Sequence, residues 1–250
     1  MQAFATLIRR ELGGFFVSLT GYVIIASVLL LVGFSLTDML VKLSGDPTDT
    51  PITELFYSTV YFWLILLITA PVITMRTFAL EKYSGTFETL MTTPVSDLEV
   101  VLAKFLGAMV FYLMTWLSLL ACILVVRYYT NEPSLFEPRA MASTMFGILL
   151  IGCLYMSLGC FGSALTRSQI MAAMNSLALG LTLFLLSLRT LIPAPPTDWT
   201  GKAFAYISMI DHMEDFSRGF VDTRHVVFYL SLTVFFLFLT LKVVESRRWK

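Results

Sequence analysis

The sequence predicts an all-α integral membrane protein with six transmembrane helices, and three observations lead there. Hydrophobic residues make up 57% of the 250-residue chain and charged residues only 14%, where soluble domains run about 45–50% apolar and about 25% charged. Six stretches are each long and apolar enough to cross a bilayer, which takes about 20 residues. Turn-forming residues gather between several of them, in Gly45-Asp46-Pro47, Asn131-Glu132-Pro133 and Pro193-Ala194-Pro195-Pro196.

Residues 1–14 form the first element. Phe4, Leu7, Ile8 and Leu12 share a face at helical spacing, with Arg9, Arg10 and Glu11 off it, the pattern of a helix lying in the membrane interface. Gly13 and Gly14 are expected to let the chain turn into the first span, 15–36. That span exceeds the apolar core of a signal peptide, about 7–15 residues, so it is read as retained. The remaining spans are 55–75, 105–126, 141–165, 170–191 and 226–244. Between the last two, 192–225 forms a long loop with an amphipathic stretch, Tyr206 to Phe220, suited to cap one end of the bundle.

Lysine and arginine placement sets the orientation, because positively charged loops stay in the cytoplasm. Arg9, Arg10, Arg76, Lys82, Lys104, Arg167, Lys242, Arg247, Arg248 and Lys250 fall on one side, which puts both termini in the cytoplasm.

Composition and spacing also exclude function classes. The formal net charge is zero and the cations are dispersed, so no basic stripe invites nucleic acid. No charge stands at the centre of a predicted span, where proton- and ion-coupled transporters keep theirs. There is no Gly-rich phosphate loop, no Ser/His/Asp set and no His-Glu-x-x-His motif. Cys122, Cys153 and Cys160 all lie in apolar stretches and read as small hydrophobes. His212 and Asp215, with Asp211 and Glu214 beside them, have metal-ligand spacing, but two histidines in the whole chain make a thin ligand set and an exposed polar helix explains the pattern. Small residues at four-residue spacing, Ser143 with Gly147 and Gly159 with Ser163, allow close helix packing, either inside the bundle or against a second copy.

The connection 76–104 is too structured for a tether. Span two is expected to run out through Glu81 and to break at Ser84-Gly85. Residues 86–91 offer a short helix with Phe87, Leu90 and Met91 on its apolar side, ended by Thr93-Pro94. Ser96 and Glu99 then form a capping box ahead of the helix that feeds span three. A short helix held between two membrane helices can carry a displacement from a cytoplasmic partner into the bundle; spacing alone equally allows a helix resting on the membrane surface.

Residues Pro71 to Arg76, Glu81 to Leu90 and Thr93 to Ser96 resemble the signature region of the ABC-2 type permeases, most closely the gliding-motility-associated subfamily. Ser163 to Gln169, Phe216 to Asp222 and Val226 to Tyr229 are similar to that subfamily's later motifs. Leu80 and Ala103 depart from the pattern, standing where an acidic residue often precedes Glu81 and a glycine often precedes Lys104.

The resemblance implies a non-catalytic subunit of an ATP-binding cassette transporter in the bacterial inner membrane. It implies an N-terminal elbow helix and a coupling helix that docks on a separate ATP-binding subunit, with Glu81, Gly85, Thr86, Glu88, Leu90 and Pro94 forming or shaping the contact. The resemblance also implies no cofactor on this chain, with ATP and magnesium bound by the partner ATPase. The permease pairs with a second permease, the same chain or a different one carrying a large extracytoplasmic domain. An alternative is a membrane component that transmits ATPase strokes to an envelope partner without moving a solute.

Overall fold

The computed structural model describes residues 2–45, 51–87, 95–130, 137–188 and 204–246. Ten helices follow one another among them: α1 Gln2–Phe16, α2 Leu19–Gly45, α3 Ile52–Tyr57, α4 Val60–Thr74, α5 Ala79–Ser84, α6 Asp97–Thr130, α7 Pro138–Leu165, α8 Gln169–Leu188, α9 Met209–Ser217 and α10 Thr223–Glu245. Six spans meet the length and apolarity of a membrane crossing: α2, α4 with α5, α6, α7, α8 and α10.

α7 forms the centre. Within its most apolar window 78% of residues are buried, against 22% in α8 and in α10 and 28% in α2, so the latter three turn most of their surface outward. α7 packs against α4, α6, α8, α9 and α10, and its small residues let it do so. A Cβ on Gly159 would lie 2.0 Å from Thr74 Oγ1, one on Gly152 2.2 Å from the Tyr112 ring, and one on Gly147 2.8 Å from the Phe216 ring. Ser143, also on α7, is 5% exposed. Ser143, Gly147, Gly159 and Ser163 are all buried within this chain.

Three boundaries differ from the sequence reading. The first turn falls at Val17-Ser18 rather than at Gly13-Gly14, which stay helical and have open space where a Cβ would stand. α1 is held on α6 instead, by Phe15 stacked on Phe111 at 4.6 Å and by Glu11 against Gly107. The glycine this turn requires is Gly21, whose Cβ would sit 2.1 Å from the Phe15 carbonyl oxygen.

The second span is interrupted at both ends. Ser58 and Thr59 turn their hydroxyls onto the carbonyls of Leu55 and Phe56, at 2.8 and 2.7 Å, and this competition with the backbone separates α3 from α4. At the other end Pro71 lies in the last turn of α4, and a turn at Met75–Phe78 precedes α5. α6 is longer than its predicted span, at 34 residues or about 50 Å. It begins with the expected capping box: Ser96 N–H donates to Glu99 Oε2 at 3.0 Å and Glu99 N–H to Ser96 Oγ at 3.3 Å.

α9 closes the end of the bundle opposite α1 and α5, as its amphipathic pattern predicts. Met209, His212, Met213 and Phe216 are at most 2% exposed. Thr53 Oγ1 donates to the Ser217 carbonyl at 2.8 Å, Tyr57 Oη to the Ile210 carbonyl at 2.5 Å, and Met209 N–H to Ser187 Oγ at 3.0 Å. Arg218 bridges Glu54 at 2.9 Å and Glu214 at 2.7 Å.

Candidate functional site

α1, α5 and the first turns of α6 meet in a closed ring of alternating charges. Lys104 Nζ lies 3.0 Å from Glu11 Oε1 and 2.9 Å from Glu81 Oε2. Arg10 completes the circuit at 2.8 Å from Glu81 Oε1 and 3.1 Å from Glu11 Oε1. The lysine side chain is 2% exposed and the two carboxylates 15% and 16%, whereas Arg10 is 51% exposed. The ring is electrically balanced, two cations against two anions. Lys104 also stands 5.4 Å from the centre of the Phe78 ring, a cation–π distance.

A buried ammonium is costly unless fully paired, and here each pairing comes from a different element. Glu11 is carried by α1, Glu81 by α5 and Lys104 by α6, so the charges tie three separate elements together in addition to their apolar packing. Lys104 lies seven residues into α6, about 10 Å from its start. The 34-residue helix overreaches a hydrocarbon core of about 30 Å, which allows this charge to stand near a membrane boundary.

The sequence reading assigned Glu11 to the polar side of α1. It points inward, because a four-residue spacing aligns it with Leu7 and Phe15, both on the packed side. The signal that finds it is that spacing, together with a lysine at the start of a span.

α5 is held a second time by α7. Ser163 Oγ accepts from Phe78 N–H at 3.1 Å and from Ala79 N–H at 3.0 Å, and donates to the Met75 carbonyl at 3.3 Å. One hydroxyl thus satisfies two orphan donors at the start of α5. At the other end of this contact Lys82 Nζ donates to the Ala164 carbonyl in the last turn of α7, where helix carbonyls lack partners and favour a cation. The α4–α5 turn is therefore fastened to the central helix at two points.

Beyond α5 the backbone reverses through Gly85, whose φ of 74° lies in the left-handed region that glycine enters without steric cost. Ser84 and Thr86 hydroxyls meet at 2.8 Å, and Phe87 folds back to 8% exposure with the Lys82 ammonium 5.3 Å from its ring. Of the sequence-predicted contact residues, Glu81 is inside the ring, while Gly85 and Thr86 follow α5 and are exposed. Glu88, Leu90 and Pro94 lie outside the described residues.

The histidine reading resolves differently. His212 stacks on His225 with ring centres 3.9 Å apart, and Asp215 approaches His225 at 3.8 Å. Among the described residues no group of three or more His, Cys, Asp or Glu side chains is placed to hold a metal. Burial, then the neighbouring His225, pushes the His212 imidazole down to about 3, so it packs as a neutral ring.

Residues 19–246 match a family model described as an ABC-2 family transporter protein. No curated protein matches the chain.

Proposed function

Because the chain belongs to the ABC-2 family of transporter proteins, a family of multi-pass membrane components, we propose that it is a permease subunit driven by a separate ATP-binding subunit, which docks on the segment that leaves α5. Energy enters at Gly85 to Pro94, and Glu81, Gly85, Thr86, Glu88, Leu90 and Pro94 form or shape the docking surface. Glu81 acts by holding α5 in place rather than by touching the partner. ATP and magnesium are bound by the partner. Both termini, α1 and α5 face the cytoplasm, in keeping with the lysine and arginine bias.

The observation that carries this reading is the double fastening of α5. A rigid lever is needed to pass a displacement into a bundle, and packed two-state contacts are what transmit it. α5 is tied to α1 and α6 through Glu81 and to α7 through Ser163 and Lys82, so a push at its exit reaches the central helix directly.

A pair of permeases completes the assembly, and the exposed apolar faces of α2, α8 and α10, among them Leu30, Met174 and Phe235, supply surface for lipid and for the second copy. The second permease is either the same chain or a different one carrying a large extracytoplasmic domain. One cavity between α2, α3 and α6, about 10 Å³, is lined only by apolar side chains such as Val32, Phe56 and Ile123. A void of that size holds no more than about one water, so it selects no substrate, and the choice between moving a lipid-like molecule and transmitting force to an envelope partner rests on experiment. Reconstituted vesicles separate the two: ATP-dependent movement of a lipid or solute indicates transport, and hydrolysis stimulated only by an envelope protein indicates mechanical work.

The docking assignment is tested by Glu88→Arg combined with Leu90→Asp. The variant is expected to insert normally yet lose co-purification of the ATP-binding subunit and permease-stimulated hydrolysis. Retention of both would remove these residues from the contact.

A further inference from the structure

Arg76, which follows the last turn of α4, differs from the other cations near it. Arg10 and Lys104 are each matched by two carboxylate contacts, and Lys82 is spent on a helix terminus. Among the described residues Arg76 forms no ion pair. Its Nη1 donates to Ser18 Oγ at 2.6 Å and to Thr20 Oγ1, two neutral acceptors, and the guanidinium carries five N–H donors in all. Glu11 lines the same cleft, and its charge is matched through Oε1 by Arg10 and Lys104.

This half-buried cation opens onto a cleft of about 70 Å³ lined by Glu11, Gly14, Phe15, Arg76, Thr77 and Leu80. The two hydroxyls lie 2.5 Å apart, so one donates to the other and the second proton has no acceptor among the described residues. On either side of Ser18 the chain presents Val17 at 89% and Leu19 at 80% exposure, followed on the first turns of the span by Tyr22 and Val23. Apolar side chains this exposed at the mouth of a membrane helix face acyl chains. Among the described residues, a cation without a counter-ion, a hydroxyl proton without an acceptor and an apolar border therefore coincide at the α1–α2 turn.

We propose that this notch binds an anionic phospholipid, its phosphate held by Arg76 with a hydroxyl of the Ser18–Thr20 pair and its acyl chains lying along Val17, Leu19 and Val23. An arginine suits the role because its planar fork engages two phosphate oxygens. Free phosphate satisfies the same donors but gains nothing from the apolar border, so the lipid is the occupant. The bound lipid ties the turn between α1 and α2 to the end of α4. The inference needs only the membrane embedding of α2 and stands apart from how the chain meets an ATPase.

The test is binding of dioleoyl phosphatidylglycerol to the full-length chain, delipidated in detergent, followed by native mass spectrometry and by the melting temperature. Saturable binding is expected, absent with inorganic phosphate and at least about tenfold weaker with dioleoyl phosphatidylcholine. Arg76→Gln should weaken phosphatidylglycerol binding about tenfold, the loss of one charge-assisted contact, while Arg9→Gln, which removes an exposed cation of α1, should change it less than about twofold. Ser18→Ala with Thr20→Val leaves Arg76 in place and should also weaken binding, which keeps the test decisive if Arg76→Gln fails to fold. Unchanged binding in the hydroxyl variant or in a folded Arg76→Gln protein, equal losses from Arg9→Gln and Arg76→Gln, or equal stabilisation by inorganic phosphate would each overturn the proposal.

Discussion

Lys104 on α6 and Glu81 on α5 meet at 2.9 Å, with the lysine side chain 2% exposed. Removing the carboxylate leaves a buried ammonium short of a partner, so Glu81→Gln is expected to cost about 3 kcal/mol. Arg10→Ala, at the exposed corner of the same ring, should cost less than about 1 kcal/mol. Adding Lys104→Met to Glu81→Gln removes the stranded charge, and the double variant should be more stable than the sum of the single changes by about 1–3 kcal/mol. Unfolding in detergent of the unmodified chain, the single variants Glu81→Gln, Lys104→Met and Arg10→Ala, and the double variant measures all of these terms.

The two classes of glycine predict opposite signs. Gly159→Ala would place a methyl 2.0 Å from Thr74 Oγ1 at the closest approach of α4 and α7, and overpacking of this kind costs about 1–3 kcal/mol. Gly13→Ala adds a methyl in open space within α1 and should stabilise by about 0.5–1 kcal/mol. Melting temperatures of the two variants should move in opposite directions.

Ser163→Ala removes the acceptor of two buried N–H groups, those of Phe78 and Ala79. Unsatisfied buried donors cost about 1–3 kcal/mol each, an effect confined to the start of α5. Hydrogen exchange should accelerate at these two amides and leave the core of α7 protected.

Stability should fall in acid because of His212. Its imidazole titrates near 3 in the folded chain, against an ordinary 6.5, so the unfolded chain binds the extra proton throughout the interval. Its contribution is complete above pH 6.5 and is lost as pH falls from 6.5 towards 3. His225, Asp222 and Tyr229 on the α10 side and Asp215 on α9 itself face or neighbour this ring. His212→Phe should flatten the dependence over that interval, as seen in unfolding curves collected between pH 4 and pH 7.

The sequence made the spans legible because lipid demands long apolar helices, and that demand overrides finer signals. It also disclosed the capping box at Ser96 and Glu99, a purely local pairing. The ring was hidden because Glu11, Glu81 and Lys104 are separated by up to 93 positions and each looks individually like an ordinary interfacial charge. Ser163 read as a packing residue for its size, whereas its hydroxyl caps a helix that lies 84 residues earlier. The first turn was misplaced because Gly13 and Gly14 look like a hinge, while the steric need arises at Gly21, from a carbonyl six residues before it.

If α5 is the rigid lever proposed between a docked ATP-binding subunit and the bundle, ATP hydrolysis by the assembled complex depends on its anchor at Glu81. Glu81→Gln, assayed below its melting temperature, should retain the bound ATP-binding subunit while permease-dependent stimulation of hydrolysis falls by about tenfold, an effect expected if transmission rather than docking has been weakened. Stimulation equal to that of the unmodified chain, with the subunit still bound, would contradict the lever.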